Sequence, residues 1–253
     1  MELRRLVDHS VSMRLRPLLT LMLAVSTLHG ADQTDAVSLY REKRYPEAQA
    51  TFEQRVRDNP RDAEAHFHLG RLALARQRLD EAIPHFAEAV KLVPSDAEYQ
   101  FQYGSTAVQQ AGRMGTTFSA LGLVRRGRAA MEKAVELAPK DIAYRQGLVE
   151  FYSKAPAIAG GGTRRAYAAA EEIRPLDERQ AVITLAGLKI RDRNPDEAVA
   201  MLETLLKDRP DDYQVLNFLG RISVENDINL ARGIAALEAC LALTPPPRSV
   251  GHA

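Results

Sequence analysis

Large side chains return along this chain at a fixed distance from a proline. Phe52, Phe86, Met131, Tyr167 and Leu202 each stand eight residues before Pro60, Pro94, Pro139, Pro175 and Pro210. Two residues after each proline comes an aspartate: Asp62, Asp96, Asp141, Asp177 and Asp212. Ala48, Ala82 and Ala198, each preceded by Glu, lie twelve residues before their prolines, and Gly70, Gly104 and Gly220 lie ten after. Each choice has a physical reason. Proline ends the preceding helix and pushes its neighbour out of the α region. Aspartate caps the next helix by accepting a backbone N–H. Small residues let two helices approach closely, and the large ones fill the space between units. The spacing predicts helix pairs over 35–43/46–57, 62–76/79–92, 96–111/121–137, 141–153/163–173, 177–191/195–207 and 211–225/228–243. Pro46 and Pro195 fall at helix starts, where the missing N–H costs nothing.

The period is 34 residues at first, then 45, 36 and 35. Repeats of this length, stacked side by side, make one quasi-one-dimensional body with a continuous core. The third and fourth units break the pattern. Residues 112–120 and 155–162 read as inserts that interrupt the stack and project from it, and long insertions of this kind are commonly functional. The repeat body spans 31–245, and the tail 246–253 is expected to be loose.

Ahead of the repeats, Arg14 and Arg16 precede an apolar stretch over 18–28. It has the length of a signal-peptide core and is short for a membrane span. Residues 1–30 read as a signal peptide cleaved near Gly30 or Ala31, with Met13 an alternative start. An uncleaved anchor, or a first helix packed on the array, is the competing reading. A cleaved signal implies a periplasmic or secreted protein.

Charge narrows the partners. Net charge is +1. Residues 1–30 carry +2, so the remainder is close to neutral. A neutral body argues against a nucleic-acid binder, which needs many cations to displace counterions, and against a polybasic membrane dock. The single cysteine, Cys240, excludes an intrachain disulfide. Among Ala and Leu in the last helix, it reads as a small buried hydrophobe, with an exposed thiol open to a mixed disulfide as the alternative.

The segment 63–94, AEAHFHLGRLALARQRLDEAIPHFAEAVKLVP, resembles a nearly complete tetratricopeptide repeat, with Leu69, Gly70, Ala82, Phe86, Ala89 and Pro94 at the signature positions. His66 replaces the family's first-helix aromatic and Leu79 its tyrosine. The resemblance covers roughly 35–245 and implies an all-α, right-handed α-solenoid of about six helix-turn-helix units. The stretches FSALGLVRRGRAAMEKAVELAPKD and FYSKAPAIAGGG resemble inserts of a group of bacterial exported tetratricopeptide proteins. The resemblance also implies a concave surface lined by the first helix of each pair. On that face it puts Phe67, Arg71, Phe101, Ser105, Gln146, Glu150, Arg191, Asn217 and Arg221. Phe67 and Phe101 either form an aromatic shelf for a peptide or pack between units, while Arg71 and Arg221 suit carboxylates. The Lys/Asn clamp that some family members use for acidic tails is not reproduced.

Candidates for chemistry are few. His66 and His68, two apart on one helix, point in opposite directions and cannot share a metal; His85 lies in the second helix of the same pair. Gly160-Gly161-Gly162 before Thr163, Arg164 and Arg165 lacks the spacing and the preceding strand of a phosphate loop, and reads as a flexible joint. Glu150, beside Phe151 and Tyr152, would serve as a general acid only if burial raised its pKa. Ser119 and Ser153 have no histidine at a triad spacing. The expectation is a non-enzymatic scaffold, without cofactor or metal, that binds a protein or peptide in the cell envelope and makes no stable membrane insertion after signal cleavage. The alternatives are a helical-repeat enzyme of cell-wall glycan using Glu150, and a structural subunit of an envelope assembly.

Overall fold

The structure, a computed structural model, describes residues 36–115 and 117–243. The signal peptide over 1–30 and the tail over 246–253 lie outside the described residues. Within them every regular element is helical. A first helix, α1, covers 36–41. It is followed by α2 (Tyr45–Asp58), α3 (Ala63–Ala75), α4 (Leu79–Leu92), α5 (Ala97–Arg113) and α6 (Phe118–Leu137). After these come α7 (Ile142–Lys154), a 3-10 turn (Ala157–Ala159), α8 (Thr163–Glu171), α9 (Glu178–Arg191), α10 (Pro195–Asp208), α11 (Tyr213–Glu225) and α12 (Leu230–Ala242). The pairs are those the proline spacing predicts, an α-solenoid architecture of helix-turn-helix units.

All five aspartates of the Pro-x-Asp punctuation cap helices. Asp62, Asp96, Asp141 and Asp177 accept from the backbone N–H of Ala65, Tyr99, Tyr144 and Gln180. Asp212 accepts from both Gln214 and Val215. Each bond satisfies a donor that the first helical turn would otherwise orphan.

The chain divides into two compact units, with the boundary between Leu92 and Val93. In the first, Ala36, Leu39, Ala48, Phe52, Ala65, Leu69 and Leu72 form the core. Arg55 lies over the Phe52 ring and pairs with Asp62 and Glu64, tying the end of α2 to the cap of α3.

The second unit holds α5 to α12. Its α5 and α6 cross at Gly104 and Gly127: a Cβ on either would come within 2.6–2.8 Å of the other's carbonyl oxygen. Residues 112–120 mostly lengthen two helices instead of forming a separate loop. All but Met114 to Thr117 extend α5 and α6, at 17 and 20 residues the two longest helices described. The glycine-to-glycine crossing lets the two axes run close, so added residues continue the helices rather than loop out.

Residues 155–162 are anchored at their glycine end, while Pro156, Ala157 and Ile158 stay exposed. The 3-10 turn ends on Gly160 at φ 93°, and the Gly162 N–H, at φ 145°, donates to Tyr152 O at 2.7 Å. Ala159, Gly160 and Gly161 are buried. The glycines therefore make a closed turn, not a flexible joint. At the other end of this unit, Leu202, Leu205, Leu206, Val215, Leu216, Leu219, Ile222 and Ala236 close a core that includes Cys240. Burial pushes the Cys240 thiol up, which suits the buried-hydrophobe reading.

Candidate binding face

The first helices of the last three repeats, α7, α9 and α11, carry polar side chains at helical spacing. On α7 these are Gln146, Glu150 and Ser153. On α9 they are Gln180, Thr184 and Arg191, with Gly187 between the last two. On α11 they are Gln214, Asn217 and Arg221. Steps of three or four residues put each set on one face of its helix.

The three faces are joined laterally. Gln146 Nε2 donates to Gln180 Oε1 and to Thr184 Oγ1, both at 3.3 Å. Gln180 Nε2 donates to Gln214 Oε1 at 2.9 Å. Arg191 Nη1 donates to Ser153 Oγ at 2.9 Å. Gln146, Gln180 and Gln214 thus form a ladder, one rung per repeat at a 34-residue interval. A primary amide offers two N–H donors and two lone pairs, so Gln146 spends both N–H groups here and keeps its carbonyl oxygen, whereas Gln180 and Gln214 keep N–H groups to spare. Gly187 leaves a notch: a Cβ placed there meets no atom within 4 Å. Below it, Arg221 lies 5.3 Å from the Phe218 ring centroid and 3.8 Å from Glu225.

The expected groove residues separate into two groups. Gln146, Glu150, Arg191, Asn217 and Arg221 belong to this polar face. Phe101 does not offer an open shelf. Its ring stacks on Tyr144 at 4.7 Å and covers Gly147, filling the space between successive first helices. Ser105 on α5 is half-buried and donates to Gln102 O. Phe67, in the other unit, is buried at 4% exposure with its ring 5.8 Å from Phe86. The packing alternative therefore describes both phenylalanines. Arg71, also in that unit, lies over Tyr40 and Phe67, at 4.8 and 5.7 Å from the ring centroids. Residue-by-residue projection missed Gln180, Thr184, Gln214 and Gly187.

Glu150 is 64% exposed in its side chain and ion-paired with Lys154. The burial on which a general-acid role depended is absent. His66 and His85 do meet, with Nδ1 atoms 3.2 Å apart. His66 Nε2 is 3.2 Å from Pro60 O, so it carries the proton and donates there. His66 Nδ1 is then the acceptor and His85 Nδ1–H the donor. Among the described residues no group of three or more His, Cys, Asp or Glu gathers as a metal site. Among them, too, no helix is long and apolar enough to cross a membrane.

A family model described as tetratricopeptide repeat matches residues 34–97 and 184–246, half of the chain. The chain belongs to the tetratricopeptide repeat family. Solved structures agree on the fold. A tetratricopeptide repeat protein from Parabacteroides merdae is similar at a TM-score of 0.59 and 15% identity, covering 84% of this chain and 78% of its own. A thermophilic protein of the family from Thermus thermophilus gives 0.52 and 20%, covering 82% and 97%. PilW, described as a widely conserved type IV pilus biogenesis factor, gives 0.55 and 16%, covering 84% and 89%. No curated protein sequence matches. Tetratricopeptide repeats are typically non-enzymatic scaffolds for protein–protein interaction, and that general role fits the polar, laterally joined face.

Proposed function

We propose that this protein is an exported adaptor of the cell envelope. It binds an extended peptide, or an extended segment of a partner subunit, across the first helices of its last three repeats. The observation that carries the reading is the Gln146–Gln180–Gln214 ladder. Its spare amide donors and acceptors are matched to main-chain N–H and C=O groups, and the Gly187 notch lets a backbone approach α9 closely. Arg191, Asn217 and Arg221 add side-chain selectivity along the same line, the arginines favouring carboxylates. The apolar stretch over 18–28 behind two arginines supports export; amino-terminal sequencing of the protein recovered from the envelope fraction tests it, with a mature start near Ala31 expected and an intact leader overturning it.

The binding claim is tested by photocrosslinking in cells from Asn217 and Arg221, with Lys207 on α10 as control. A discrete product from the two face positions that disappears in Gly187→Tyr is the expected result. Equal yields from Lys207, or a product indifferent to Gly187→Tyr, would sink the assignment of the face. The substitution is suited to the purpose because the space above Gly187 is open, so the new ring occupies the notch without displacing the core.

A further inference from the structure

The near-neutral charge of the chain hides a segregated patch. Residues 99–131 and 151–170 contain Arg113, Arg125, Arg126, Arg128, Lys154, Arg164 and Arg165, and no aspartate or glutamate. Both stretches lie in the second unit, and the fold brings them together. The 3-10 turn packs on α6. Gly160 lies directly against the Arg128 guanidinium, and Arg165 Nη1 donates to Gly160 O at 2.7 Å. Arg125, Arg126 and Arg164 are exposed and make no ion pair among the described residues. Most other arginines of this unit do, as Arg145 with Glu172, Arg174 with Glu171, Arg209 with Glu178 and Arg232 with Glu203 show.

The same two stretches present large apolar side chains to water. Phe118, the first residue of α6, is 96% exposed, and Ile158 in the 3-10 turn is 72% exposed. Along α6, Phe118, Gly122, Arg125 and Ala129 follow one another at steps of four, three and four residues, a single line on the helix surface. Arg128, where the turn attaches, lies about 80° around the helix from that line and about 15 Å along it from Phe118. One edge therefore combines protruding apolar tips with unpaired guanidinium groups.

From this edge we infer that the protein docks peripherally on an anionic lipid surface, with Phe118 and Ile158 entering the interface and Arg125 and Arg164 meeting headgroup phosphates. Charge favours a bilayer over a protein partner: the two stretches hold seven cations and no carboxylate, which matches a uniformly anionic lipid surface. A bilayer interface accepts isolated apolar tips, while arginines keep their charge at headgroup level. This surface lies on the α6 and α8 side of the repeats and is independent of the ladder on α7, α9 and α11.

The chain contains no tryptophan, so Phe118→Trp and Ile158→Trp each place a single reporter in the edge, and Leu241→Trp on exposed α12 serves as control. Vesicles of phosphatidylglycerol with phosphatidylcholine should shift the emission of the first two to the blue and expose them to quenching by brominated lipid. Leu241→Trp should not respond, nor should any of the three with phosphatidylcholine alone. Adding Arg125→Gln and Arg164→Gln to the reporters should weaken vesicle affinity roughly fivefold for each charge removed, and raised salt should release the protein. Circular dichroism verifies that these exposed changes leave the helices intact. A silent reporter at both edge positions overturns the inference. So does an equal response at Leu241→Trp, or an equal blue shift with soluble poly-glutamate, which would reassign the patch to an acidic polypeptide.

Discussion

In the unit that ends at Leu92, three histidines lie in or against the packed interior. His68 is stacked on Phe52 at 4.7 Å with the rings 8° from parallel, and its Nδ1 is buried with no hydrogen-bond partner among the described residues. His66 and His85 share one hydrogen bond. The unit that begins at Val93 has no histidine among its described residues, and its arginine cluster is at the surface. The two units thus answer to different solution variables. Acidity acts on the first, through protons that a packed ring refuses. Ionic strength acts on the second, through exposed guanidinium groups that salt screens. Buried neutral groups and exposed charged groups are both polar in a composition table, and only their surroundings tell them apart.

The largest expected effect probes the second unit where it departs from the repeat period. A Cβ on Gly161 would come within 1.8 Å of Ala155 O, a backbone atom, far inside van der Waals contact. Gly161→Ala should cost about 3 kcal/mol or more, at the upper end of overpacking penalties. Thermal unfolding measures it. A loss below about 1 kcal/mol would mean that the turn opens easily, and the contrast with a projecting, adaptable insert would disappear.

Acidification is the next largest, and it belongs to the first unit. Burial and the nearby Arg71, Arg55 and Arg41 hold the His68 imidazole at a pKa of about 4, with Glu64 opposing them, against 6.5 for the free group. Burial and His66 lower His85 as well, against Glu53 and Glu81. Between the two values the unfolded chain takes up a proton that the folded chain rejects. Stability is therefore complete above about pH 6.5 and falls as the pH drops toward 4, by on the order of 3 kcal/mol for His68. His68→Phe keeps the stack on Phe52 and removes the titration. Urea unfolding at pH 7 and pH 4.5 should show the drop in the wild type and a much smaller one in the variant. Equal drops would place the acid sensitivity elsewhere.

The sequence carried the architecture because Pro-x-Asp states two local requirements, a helix stop and a cap, and both hold whatever the tertiary context. The polar face was partly hidden for the opposite reason. Gln146, Gln180 and Gln214 stand five, three and two residues after their capping aspartates. Aligning the repeats on the caps scatters them, although their bare 34-residue spacing is plain. Phe67 and Phe101 were ambiguous because groove and core positions differ by one helical step, and the decision rests on Phe86, Tyr144 and Gly147 across the packing. The arginine edge escaped a reading of net charge because a sum over the whole chain cancels what the fold segregates. Whether residues 112–120 loop out or lengthen helices depended on the Gly104–Gly127 crossing, a contact between residues 23 apart that no local pattern reports.

The smallest expected effect has the opposite sign to the others. Gly187 sits inside α9 in an ordinary helical conformation, half-buried, with nothing within 4 Å of a Cβ placed there. Glycine loses more backbone entropy on folding than alanine and gives the helix no side chain to pack. Gly187→Ala should therefore stabilise the protein by up to about 1 kcal/mol, seen as a raised urea midpoint at unchanged slope. Gly161→Ala makes the same chemical change in the same unit and should do the reverse, because there the space is taken by a carbonyl. A gain at Gly187 would mean that stability alone does not explain glycine at this position, which is what a notch kept open for a bound backbone requires. A loss would mean that another part of the chain fills the space in solution, and the face would then need a different point of entry.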